Sequence, residues 1–195
     1  MAVVVGLVAF VTSFRVGLGA ARESLDGSWT AVLSWAFSHG AQFGSDIVFT
    51  YGPLGFLSPI ATYYPDTHSL YVTAQVYISL VFAALAGRFA QHLSVAAQLA
   101  MIVLLLAWTP LLIIDVSWYL LFALGALLLR DLAEQRATSA ATLALAAATM
   151  LALTVLSLTK FTLTRLWLAF VAQGLLQLLL ARRVRAALLL TSSAA

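Results

Sequence analysis

The sequence predicts an all-α, polytopic membrane bundle of about six spans, with an extracytoplasmic first loop that carries a juxtamembrane amphipathic helix. Three observations point there. Hydrophobic residues make up 63% of the chain and charged residues 9%, where a soluble domain carries about a quarter charged. Mean hydropathy is +1.03, so in water the chain would expose far too much apolar surface. The apolar residues also fall into runs near 2–20, 69–88, 94–114, 116–130, 138–158 and 162–181, close to the ~20 residues that a spanning helix needs.

Each run has its own character. The first has no positive charge before it, as a secretory signal normally does. It therefore reads as an uncleaved span and not as a signal core ending at Leu18-Gly19-Ala20. Pro110 falls in the last turn of the third run and the fourth is short, so 94–130 reads as a tight helical hairpin turning at Asp115. The fifth run is rich in alanine (Ala140, Ala141, Ala144, Ala147, Ala148), which suits close helix packing. The sixth reaches full length only by including Arg165. After Arg185 a few apolar residues resemble the start of an interrupted span. The expectation is a single transmembrane domain over 1–195 that forms the N-terminal part of a longer membrane protein.

The basic residues set orientation. With a cytoplasmic N-terminus, Arg88, Arg130, Arg136, Arg182, Arg183 and Arg185 fall inside, while Arg15, Arg22, Lys160 and Arg165 fall outside. The same arrangement puts Glu23, Asp26, Asp46, Asp66 and Asp115 on the outer face, and makes 21–68 an extracytoplasmic loop. The net charge of +3 is scattered at segment ends, which argues against a nucleic-acid partner. Cysteine is absent, so thiolate chemistry and disulfides are excluded. The absence of Asn and the preference for Arg over a lone Lys160 read as coding bias of a GC-rich bacterium, hence a bacterial plasma membrane.

The loop holds the one polar stretch of any length. Trp29, Val32, Leu33, Ala36 and Phe37 recur at helical spacing and Gly40 follows as a stop, which describes an amphipathic helix on the membrane surface. Asp26 stands at its start, where a carboxylate caps free amides or serves as a general base beside the bilayer. Asp46 follows the turn Phe43-Gly44-Ser45, and could pair with Arg22 or Arg15, cap a turn, or supply a second active-site acid. Asp26 and Asp46 could also share a divalent cation through oxygen ligands, although nothing in their spacing demands one. Tyr51-Gly52-Pro53-Leu54-Gly55 turns the chain back to the membrane, and Tyr51 is a candidate substrate contact. His39 reads as a C-terminal cap of the loop helix or as a substrate contact, and His39, His68 and His92 do not make a zinc set. Lys160 and Arg165, with Thr162 and Thr164, could bind a lipid phosphate or anchor the interface. Trp118 and Tyr119 read as an interfacial aromatic belt.

An Asp at the start of a juxtamembrane helix in the first external loop, followed by Gln42-Phe43-Gly44-Ser45-Asp46 and Tyr51-Gly52-Pro53-Leu54, resembles the GT-C superfamily of membrane glycosyltransferases. In motif the resemblance covers this loop, with Asp26-Gly27 where the family usually has an Asp-Glu pair. It implies transfer of a sugar from a polyprenyl-phosphate donor to an extracytoplasmic acceptor. Asp26 matches the catalytic acidic position and Asp46 a secondary one. The rival expectation is a non-catalytic membrane subunit that binds a partner or lipid through the loop. A transporter is disfavoured because no span carries a central acidic residue.

Overall fold

A computed structural model describes residues 1–15, 25–58, 64–111, 116–134 and 139–180 of the chain. Among these it is all-helical: α1 (Ala2–Ser13), α2 (Leu25–Ser38), α3 (Pro65–Ala90), α4 (Val95–Leu111), α5 (Val116–Glu134), α6 (Ala140–Ser157) and α7 (Phe161–Leu180), with a 3₁₀ turn at Gly55–Leu57. Four of them, α3, α5, α6 and α7, are long and apolar enough to cross a membrane. The expected first and third spans appear as α1 and α4, of 12 and 17 residues. Phe14 turns to extended backbone, so α1 ends well before position 20. The expected short fourth span is a full 19-residue helix, because its helical pattern carries on through Arg130 to Glu134.

The bundle has two ends, defined by contacts distant in sequence. At one end the Tyr71 hydroxyl donates to the Arg15 carbonyl (2.8 Å), and Leu54 docks on Leu158. At the other, Arg88 near the end of α3 approaches Asp131 near the end of α5 and Thr142 at the start of α6. The connecting helices α3, α4, α5 and α6 therefore alternate in direction, and the first loop and the α6–α7 turn share an end.

The helices pack for identifiable reasons. α1 crosses α3 at glycine: a Cβ added to Gly6 would lie 3.0 Å from the Ala83 carbonyl oxygen, and the Gly6 and Gly87 backbones nearly touch. The outward side of α1, Val3, Leu7 and Val11, is exposed at every fourth position, as a lipid-facing stripe would be. α5, α6 and α7 meet around Gly125, which lies against Thr149, Leu153 and Phe170, with Phe122 edge-on to Phe170. Of the five alanines expected to pack closely, Ala148 lies against the core, while Ala140, Ala141, Ala144 and Ala147 are exposed. α6 buries Ala152 together with Thr149, Met150, Leu153 and Leu156, and the larger side chains of the latter four fill the interior. Trp118 is likewise no belt residue: it is 3% exposed in the core, whereas Tyr119 faces outward.

The first loop folds as a cap with a small core of its own. Leu33, Phe56, Leu57 and Tyr71 are buried together, with Trp29, Phe43, Tyr51 and Leu54 packed against them. Gln75 of α3 donates from Nε2 to the Leu57 carbonyl at 2.7 Å, a buried bond that ties the 3₁₀ turn to the bundle. The expected surface helix is α2, but its apolar stripe divides. Leu33 and Ala36 pack inward, while Val32 and Phe37 remain exposed. The reason is that α2 lies against the 3₁₀ turn and α3 as well as facing outward.

Candidate functional site

The cap brings Trp29, Phe49, Tyr51 and Lys160 together. Tyr51 and Lys160 form an isolated antiparallel bridge. The Gly52 amide donates to the Thr159 carbonyl (3.0 Å), the Leu54 amide to Leu158 (3.1 Å), and the Phe161 amide to Thr50 (3.2 Å). Gly52 is required by proximity, since any Cβ there would run into the Leu158 carbonyl oxygen. α6 stops in register for this docking. The Thr159 hydroxyl donates back to Leu156, and the Lys160 carbonyl accepts the Leu163 and Thr164 amides that start α7.

Side chains complete the cluster. The Lys160 ammonium lies 5.3 Å from the Tyr51 ring centroid, within cation–π range. Trp29 lies 4.2 Å from Tyr51 between centroids, and Phe49 is 5.6 Å from both rings. Lys160 is half-buried, so its charge is worth more here than in bulk water. Such a site offers flat aromatic faces, which suit the C–H face of a sugar, beside an ammonium that can neutralise a phosphate. Two of the sequence candidates, Tyr51 and Lys160, are thus neighbours. The sequence reading missed the contribution of Trp29 and Phe49. The signal was present in an aromatic cluster within a short polar loop, but only the docking shows that the rings converge.

The other candidates have different settings. Asp26 is the second residue of α2, one turn before Trp29, and its side chain lies outside the described residues. Asp46 is exposed and accepts from the Gln42 amide through Oδ2 at 2.8 Å, closing a turn in which Gly44 has a positive φ of 100°. His39 is exposed, stacked on Trp35, with Nδ1 2.8 Å from the Trp35 carbonyl oxygen. A carbonyl only accepts, so this contact requires the proton on Nδ1. Just beyond it, Gly40 at φ 69° closes the helix. The Gly40 amide bonds to Phe37 and the Ala41 amide to Ala36, the paired bonds of a Schellman cap. Arg165 is exposed on α7, as is Thr162, and the Thr164 hydroxyl donates to the Ser157 carbonyl at 2.6 Å.

His68 lies near the cap beside Tyr71, and His92 follows the far end of α3. The rest of α3 lies between them, so they stand roughly 36 Å apart. Among the described residues no three His, Asp or Glu side chains gather as a metal site. The cation proposed for Asp26 and Asp46 depends on a side chain outside them. Outside them too lie Arg22, Glu23, Asp115, Arg136 and everything after Leu180, with the expected turn at 115 and the interrupted span.

Fold and composition together define a helical membrane protein. No protein-family model, curated protein or solved structure matches the chain.

Proposed function

We propose that this chain is a GT-C-like membrane glycosyltransferase, or the N-terminal portion of one, working at the capped end of its bundle. The reading rests chiefly on the convergence of Trp29 and Tyr51 with Lys160, aromatic surface and cation side by side at one end of an apolar bundle. The substrate class is a polyprenyl-phosphate-linked sugar, whose tail lies in the membrane lipid while its phosphate and sugar meet the cap. Lys160, with Arg165, neutralises the donor phosphate; Tyr51 and Trp29 stack on the sugar. An acceptor hydroxyl attacks the anomeric carbon as its proton passes to the Asp26 carboxylate. The bond between the anomeric carbon and the phosphate oxygen breaks, and the polyprenyl phosphate leaves with the electron pair. Asp46 and His39, on the exposed rim, contact the acceptor. The capped end faces the outside of a bacterial plasma membrane and the N-terminus faces the cytoplasm.

The test is sugar transfer from a polyprenyl-phosphate donor in reconstituted vesicles. Asp26→Asn should insert normally and lose transfer, and Lys160→Gln should raise the KM for donor. Full activity in Asp26→Asn would remove that residue from the chemistry. A second reading, a non-catalytic subunit, draws support from Val32, Trp35 and Val48, which are 51%, 49% and 84% exposed on the cap. Co-purification of a stoichiometric partner, lost on Trp35→Ser and unaffected by Asp26→Asn, would favour it.

A further inference from the structure

At the end of the bundle opposite the cap, a groove of about 360 Å³ opens between α1, α3 and α6. Its mouth is polar, formed by Arg88, Gln91, Ser139 and Thr142. Its floor is made of small residues, among them Gly6, Ala83 and Ala84, running along the helices towards Leu145. A polar mouth over an apolar trough has the shape of an amphiphile seated at a membrane interface.

Arg88 decides the charge of that amphiphile. A guanidinium carries five N–H donors, and those of Arg88 are poorly used. Nε is buried without a partner. Nη1 reaches the Thr142 hydroxyl at 3.4 Å and Nη2 stands 3.8 Å from Asp131, both longer than the ~2.8 Å of a charge-assisted bond. Asp131 therefore steers the group without saturating it. The Ser139 and Thr142 hydroxyls, 2.9 Å apart, bond to each other and leave one further O–H donor beside it.

We propose that this groove binds an anionic phospholipid, its phosphate on Arg88, Ser139 and Thr142 and its upper acyl chain along Gly6, Ala83 and Ala84. Basic pockets between helix ends commonly hold such head groups. The site is separate from the Tyr51–Lys160 cluster and does not depend on the activity proposed for it.

The experiment measures thermal unfolding of the full chain in detergent, titrated with phosphatidylglycerol, phosphatidylcholine or inorganic phosphate. Phosphatidylglycerol should raise the midpoint in a saturable way by mass action, and the zwitterionic lipid should do so far less. Arg88→Gln should move half-saturation by roughly tenfold, the loss of about one charge-assisted contact. Ala84→Leu, which fills the trough and leaves the charge, should weaken the lipid response too. Equal shifts from both lipids, or an unchanged response in Arg88→Gln and Ala84→Leu, would overturn the proposal. A shift from inorganic phosphate alone, insensitive to Ala84→Leu, would identify a soluble anion in place of a lipid and would also overturn it.

Discussion

The Lys160 ammonium stands 5.3 Å from the centre of the Tyr51 ring, joining the first loop to the turn between the last two described helices. This contact places both segments at one end of the bundle, and four helices must run back and forth between them. It also predicts an energetic coupling. A double-mutant cycle with Lys160→Met and Tyr51→Leu should give about 0.5–2 kcal/mol of interaction in thermal or denaturant unfolding. Additive losses would mean that the pair is adjacent without attraction.

Gly52 and Gly40 separate space from backbone conformation. Gly52→Ala drives a Cβ into the Leu158 carbonyl and should cost about 1–3 kcal/mol, with the cap released from the α6–α7 turn. Gly40→Ala meets no neighbour but must hold φ at 69°, and should cost about 1–2 kcal/mol through strain alone. Protease nicking within the cap should rise for Gly52→Ala and stay low for Gly40→Ala.

Gln75 is the buried tether of the 3₁₀ turn, donating to Leu57 where no water reaches. Gln75→Leu strands that carbonyl and should lower stability by about 1–3 kcal/mol. Gln75→Glu should be worse, since a carboxylate would confront the carbonyl oxygen. Unfolding midpoints of the two variants, compared with the parent, check the order.

Because the chain has no cysteine, single introduced thiols report its sidedness cleanly. Val48→Cys and Phe161→Cys should react with an impermeant maleimide from the same side, and His92→Cys only from the other. The proposed orientation makes the shared side external. Labelling of positions 48 and 161 from opposite sides would refute the cap itself.

Much of this was legible in the linear chain. The loop helix and its stop at Gly40 followed from apolar spacing and a glycine whose positive φ the structure shows. Assigning Lys160 to the same face as the loop needed only a count of apolar runs. Trp118 was misjudged, as was the alanine-rich face of α6, for one physical reason. Lipid tails are as apolar as leucine, so composition does not distinguish a side chain that faces lipid from one that faces the core.

By itself, then, the sequence determined the solvent this protein lives in, where its helices lie and which segment stays outside the hydrocarbon. Those properties depend on local composition and on the cost of leaving polar groups unsatisfied in lipid. Tertiary structure alone decided that Tyr51 and Trp29 meet Lys160 and that Arg88 overlooks a groove. Such pairings depend on backbone approach and register between distant segments, set by single atoms such as the missing Cβ of Gly52.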